Sequence, residues 1–79
     1  MTKRLSRPAG VKAADFQLGR HIHKLREAKG VTQEQLAEKI GTGYQWIAHV
    51  ETGREVPNVA MLRKIARALG VKVKELIPF

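Results

Sequence analysis

The sequence contains no cysteine, so disulfides and thiolate metal sites are excluded and an apolar core has to supply the stability of the fold. A reducing cytoplasm suits such a chain and is the expected location. No apolar run approaches the length of about 18 residues that a membrane-spanning helix needs, and no signal-peptide-like apolar segment follows the Pro/Gly-interrupted opening; no membrane association is expected. Acidic residues are also few, seven against fifteen Lys and Arg, which leaves a net charge of +8. That excess attracts a polyanion over roughly a Debye length of about 10 Å and favours nucleic acid as partner, solubility or contact with acidic lipid being the plainer alternatives. At 79 residues the chain makes one small domain without room for an enclosed catalytic cavity and a separate binding lobe, so an enzyme is not expected. His21, His23 and His49 have no cysteine partners, and His21 and His23 stand two apart rather than on one helical face; neither a metal nor any other cofactor is expected.

The charge is unevenly placed. Lys3, Arg4, Arg7 and Lys12 all precede the first acidic residue, Asp15, among Pro8 and Gly10, so residues 1–14 read as a flexible basic arm ahead of a folded domain over 15–79. An arm of that kind can follow a phosphate backbone or enter a minor groove; a terminus without a role is the alternative.

Five helical segments follow. From about Asp15 to Lys29, Leu18, Ile22 and Leu25 recur at helical spacing, and Gly30 closes the segment. Thr32 then offers an N-cap with Gln35 three residues on, as in a capping box, and Val31 with Leu36 completes a hydrophobic staple; the second helix runs only to Ile40 before Gly41. So short a helix has to be held by its neighbours. The third begins at Thr42 or Gly43, either of which can act as N-cap, and ends near Glu51 with Thr52 and Gly53 as its stop. Its inward seam is Ile47 and Val50, whereas Tyr44, Gln45, Ala48, His49 and Thr52 fall on the opposite, polar arc. Asn58 caps a fourth helix carrying Leu62, Ile65, Ala66 and Leu69 inward to Gly70, and Val73, Leu76 and Ile77 suggest a fifth before Pro78. Two short helices around a tight turn in an all-helical domain describe a helix-turn-helix.

With these landmarks placed, the segments LREAKGVTQEQLAEKIG and IAHVETGREVPNVAMLRKIARALGV resemble the lambda-repressor-like, or XRE/Cro-type, helix-turn-helix family over roughly Leu18 to Ile77. Thr32-Gln33, Leu36-Ala37, Gly41, Ile47, Glu51, Gly53, Pro57 and Leu69-Gly70 agree in order and spacing. The resemblance implies a compact all-α domain of five helices, with helices 2 and 3 forming the helix-turn-helix, the third helix in the major groove of duplex DNA, and a homodimer on a partly palindromic operator. It implies base contacts by Tyr44, Gln45 and His49 and backbone contacts by Gln33, Gly43, Trp46, Thr52 and Arg54. Arg26 and Glu51 match a structural ion pair between the first and third helices. Leu76, Ile77 and Phe79, three apolar residues at the end of the chain, match a dimer interface.

The sequence departs from phage repressors at Gly43, where the family often has Ser or Thr, at Tyr44, and at Trp46, where it often has a tyrosine or a small residue. Tyr44 stands where a glutamine often opens the recognition helix and braces the glutamine at Gln33, so a tyrosine hydroxyl would have to meet Gln33 instead. The leading functional expectation is sequence-specific DNA binding and transcriptional regulation, repression being the commoner action in the family. The alternative is a protein-interaction or coactivator-like bridging module, with Trp46 and Tyr44 projecting as apolar anchors, or an antitoxin that binds a protein partner.

Overall fold

The computed structural model describes residues 6–79, and Lys3 and Arg4 of the expected arm lie outside the described residues. Five helices follow in order: α1 (Ala13–Ala28), α2 (Gln33–Ile40), α3 (Tyr44–Glu51), α4 (Val59–Leu69) and α5 (Val73–Leu76). The first begins two residues earlier than Asp15. It is preceded by a turn in which Val11 N–H donates to the Pro8 carbonyl at 3.2 Å. Helix α1 thus takes in Ala13 and Ala14, which the sequence reading assigned to the arm.

The capping chemistry sets the other limits. Gln35 N–H donates to Thr32 Oγ1 at 3.0 Å while the Thr32 N–H donates to Gln35 Oε1 at 2.9 Å, so two of the unpaired donors at the start of α2 are satisfied reciprocally. Asn58 Oδ1 accepts from Met61 N–H at 2.9 Å at the start of α4, and Glu75 Oε2 accepts from Lys72 N–H at 2.6 Å at the start of α5. Between the two candidates for the start of α3, the N-cap is Gly43, whose extended backbone accepts from Trp46 N–H through its carbonyl at 3.1 Å. Thr42 belongs to the end of α2: its N–H donates to the Ala37 carbonyl at 2.9 Å. Its hydroxyl is buried with no hydrogen-bond partner among the described residues.

None of these helices except α1 is long enough to persist alone, and each contributes an apolar stripe to one core. Leu18 and Ile22 of α1, Leu36 and Ile40 of α2, Ile47 and Val50 of α3, Leu62, Ile65 and Leu69 of α4 and Leu76 of α5 form it, with Leu25, Val31, Trp46 and Ile77 packed at its margin. α2 lies between α3 and α4, and α1 packs on α3 and α5. Leu76 is fully buried within this one chain. Its expected place in a dimer interface is therefore corrected: the short α5 has a single turn to seal the α1 and α4 faces, and Leu76 is the side chain that does so. Ile77 is half-buried at the same margin, and Phe79 remains exposed.

Candidate nucleic-acid interface

The outward arc of α3 is the arc that periodicity predicts. Tyr44, Gln45 and His49 are exposed, Ala48 is half-buried between them, and Ile47, Val50 and Glu51 face inward. Trp46 is half-buried and packs against the core, so its indole is a packing group rather than a projecting anchor. Gly43 and Arg54 are exposed at the two ends of the helix. The Arg54 N–H is fixed on the His49 carbonyl at 2.8 Å, which seats the loop carrying its side chain. Thr52 is half-buried, and its hydroxyl turns back to the Ala48 and His49 carbonyls, each at 3.2 Å, to cap the end of α3.

Gln33, expected at the DNA backbone, also has a partner inside the protein. Its Nε2 donates one of its two N–H bonds to Glu51 Oε1 at 3.0 Å, which turns the half-buried amide toward the carboxylate. The tyrosine-glutamine brace is therefore replaced by a glutamine-glutamate one, and main-chain N–H groups at the start of α2 add donors beside the second N–H of the Gln33 amide.

The expected pair of Arg26 and Glu51 is present and is part of a larger seat. Arg26 Nε donates to Glu51 Oε2 at 2.6 Å and its Nη2 to Oε1 at 3.2 Å, while Nη1 donates to the Val31 carbonyl at 2.7 Å. His23 Nδ1 lies 2.7 Å from Glu51 Oε1, and His23 Nε2 lies 3.0 Å from Glu27 Oε1. From the preceding turn of α1, Arg20 reaches the main-chain carbonyl of Glu51 with Nε at 2.9 Å and Nη2 at 2.5 Å. Burial is the largest influence on the Glu51 carboxyl and pushes its pKa up, yet the hydrogen bonds from Arg26, His23 and Gln33 together outweigh it and hold the group below the ordinary carboxylate value. The Glu51 hydrogen bond raises the Arg26 pKa in turn. Arg20 moves the other way, because its burial outweighs the attraction of Glu51.

Arg20 and His23 belong to this Glu51 seat, and reading the sequence did not place them there. The available signal was their spacing: Arg20, His23 and Arg26 recur every three residues and so share one face of α1. Among the described residues no group of three or more His, Asp or Glu is disposed to hold a metal ion, and no helix is long and apolar enough to cross a membrane.

Charge is distributed against the simplest picture of a DNA-binding unit. Between Val31 and Glu55 only Lys39 and Arg54 oppose Glu34, Glu38, Glu51 and Glu55, a formal charge of −2. The basic excess lies instead in the residues before Val31 and in Arg63, Lys64, Arg67, Lys72 and Lys74.

A five-helix domain with a buried arginine-glutamate seat beneath a polar recognition arc defines a helix-turn-helix protein. A family model described as a helix-turn-helix domain matches residues 17–77, and the chain belongs to that family, with a fold of the XRE/Cro type associated with DNA binding and transcriptional regulation. It is 45% identical over 59 residues to endothelial differentiation-related factor 1 of Rattus norvegicus, covering 75% of this chain and 40% of that protein. It is 41% identical over 64 residues to multiprotein-bridging factor 1 of Candida albicans, covering 81% of this chain and 42% of that protein. The chain thus spans about two fifths of the length of these relatives. Among solved structures, the restriction-modification controller protein C.AhdI from Aeromonas hydrophila superposes with a TM-score of 0.80 at 32% identity, over 82% of this chain and 98% of that one. The clp gene regulator ClgR from Corynebacterium glutamicum superposes with a TM-score of 0.79 at 27% identity, over 89% and 90% of the two chains.

Proposed function

We propose that the protein recognises a partly palindromic operator in double-stranded DNA by laying α3 in the major groove, and that it represses transcription there as a homodimer. The observation that carries this reading is the exposed arc of Tyr44, Gln45 and His49 on a helix whose other side is sealed into the core. The major groove admits one α-helix, and a glutamine amide pairs with adenine N6 and N7 through two hydrogen bonds. Tyr44 can donate to a base or phosphate acceptor, and His49 can donate to guanine acceptors. Arg54, the exposed main chain at Gly43 and the start of α2 supply phosphate contacts in this reading. Because the segment around α2 and α3 carries a formal −2, most of the salt-sensitive attraction comes from basic residues outside it. Ile77 and Phe79 supply the apolar part of the homodimer contact. No catalytic role is proposed. The likeness to a restriction-modification controller and a clp gene regulator supports a regulatory outcome.

A bridging role between proteins is the second reading, favoured by the similarity to endothelial differentiation-related factor 1 and multiprotein-bridging factor 1. It draws on Tyr44, 48% exposed, as an anchor; Trp46 packs inward and serves it poorly.

Selection of bound duplexes from a random library tests the leading reading. Recovery of one motif repeated about a dyad is the expected result, with half-site spacing reporting dimer geometry. Equal recovery of all sequences would overturn sequence reading.

A further inference from the structure

We propose that Arg20 is a positioning residue for the recognition helix, its guanidinium clamping the main-chain carbonyl at the end of α3 and so setting the angle at which α3 meets DNA. The functional half of this proposal rests on the DNA-binding reading above; the structural half does not.

The Glu51 carbonyl is one of the last four of α3, which have no acceptor role inside the helix, and it sits at the negative end of the helix dipole. Arg20 meets it with two donors, Nε at 2.9 Å and Nη2 at 2.5 Å. The guanidinium carbon also lies 5.8 Å from the centroid of the Phe16 ring, a cation-π arrangement one turn earlier on α1 that holds the fork in place. Beside it α1 touches α3 backbone to backbone: a Cβ at Gly19 would collide with the Val50 carbonyl oxygen and stand 2.8 Å from the Glu51 oxygen. Just past the helix end, Gly53 has φ +82°, and a Cβ there would stand 2.6 Å from Val11 Cγ1 and 2.9 Å from the Phe16 nitrogen. Val11, Phe16, Gly19 and Arg20 therefore form a socket for the last turn of α3.

This differs in kind from the Arg26 pair. Arg26, His23 and Gln33 hold the Glu51 side chain, which can rotate about its own bonds while the helix shifts. Arg20 holds a main-chain atom, so the torsions of one side chain rather than two stand between α1 and the helix end, and its fork follows a displacement less freely. The chain reaches Arg54 three residues later, and a displaced end would move that side chain together with the arc of Tyr44, Gln45 and His49.

Arg20→Ala and Arg20→Lys in the full chain provide the test. Without DNA, amide hydrogen exchange at Thr52, Gly53 and Arg54 is expected to accelerate about tenfold in Arg20→Ala while amides of α4 are unchanged, the signature of local rather than global opening. With DNA, the affinity ratio of a library-selected duplex to a scrambled one is expected to fall about tenfold, with salt slopes unaltered. Arg20→Lys keeps the charge without the planar fork and is expected to recover only part of either effect. Unchanged exchange at these amides, or equal acceleration throughout the protein, would overturn the proposal. So would an equal loss on both duplexes with a salt slope reduced by about one, which marks Arg20 as a phosphate ligand. Should the unaltered protein fail to distinguish duplexes, the DNA-recognition reading fails on its own, and the exchange measurement still decides whether Arg20 holds the helix end. Should Arg20→Ala not fold, the same measurements on Arg20→Lys decide it.

Discussion

Arg26 and Glu51, on different helices and 25 residues apart, are joined by a forked hydrogen-bonded pair at 2.6 Å and 3.2 Å, with Arg26 7% and Glu51 1% exposed. Removing two charges from water costs several kcal/mol per ion, about what a good fork and full satisfaction of the remaining donors and acceptors can offset. Each polar atom of the pair has at least one partner: the Val31 carbonyl accepts from Arg26 Nη1, and Gln33 also donates to Glu51. The pair thus orients α3 without having to be a net source of stability.

Removal of one partner should be far more damaging than removal of both. Arg26→Met alone is expected to cost about 3–5 kcal/mol by leaving the Glu51 carboxylate buried without its main partner, and Arg26→Met with Glu51→Leu is expected to recover much of that loss. Urea denaturation of the two single variants and the double variant measures the coupling. A double variant as unstable as the sum of the singles would refute it.

The same carboxylate makes stability depend on acid. The folded pKa of Glu51 is depressed relative to an unfolded glutamate at about 4.3, so its contribution is fully present above that value and is lost as pH falls through the folded pKa. Thermal midpoints should therefore be insensitive to this group above about pH 5 and fall below about pH 4. In Glu51→Gln the acid-side fall should be shallower, at a lower overall midpoint. Parallel midpoint-versus-pH curves for the two proteins would show that Glu51 does not contribute.

Base reading and phosphate attraction should separate on the proposed interface. Gln45→Ala is expected to reduce discrimination between selected and scrambled duplexes by about 1–3 kcal/mol. Arg54→Ala is expected to weaken both and to lower the salt slope by about one. Titrations at several salt concentrations report both quantities, and an unchanged selected-to-scrambled ratio in Gln45→Ala would remove it from the reading set.

The end of the chain offers a separate check. Leu76→Ala is expected to cost about 2–5 kcal/mol at any protein concentration, because that side chain is core within one copy. Phe79→Ala, at a side chain 73% exposed, should leave unfolding at low protein concentration nearly unchanged and weaken the proposed self-association. Sedimentation alongside denaturation distinguishes the two effects.

Much of this architecture is legible along the chain, because its signals are local. Thr32 with Gln35, Asn58 ahead of Val59, and the glycines after α2 and α4 mark helix ends through bonds spanning three or four residues. Ile47 and Val50 against Tyr44, Gln45 and His49 divide α3 by periodicity alone. Where local signals competed they did not decide: Thr42 and Gly43 were both acceptable caps for α3, and the choice fell to Gly43 because Thr42 N–H closes the end of α2 on Ala37.

Capping, helical period and a family's landmark spacing are properties of neighbouring residues, and they suffice for the helix-turn-helix family, the five helices and the exposed arc of α3. The packing of the helices is what sets Gln33 against Glu51, brings Arg20 and His23 beside Arg26 to seat α3, and turns Leu76 into the core rather than toward a second copy. Arg20 and His23 reach Glu51 across 31 and 28 residues of chain. A polar side chain on a helix has the same local pattern whether solvent or another helix end lies opposite it, and the packing of α1 against α3 settles which.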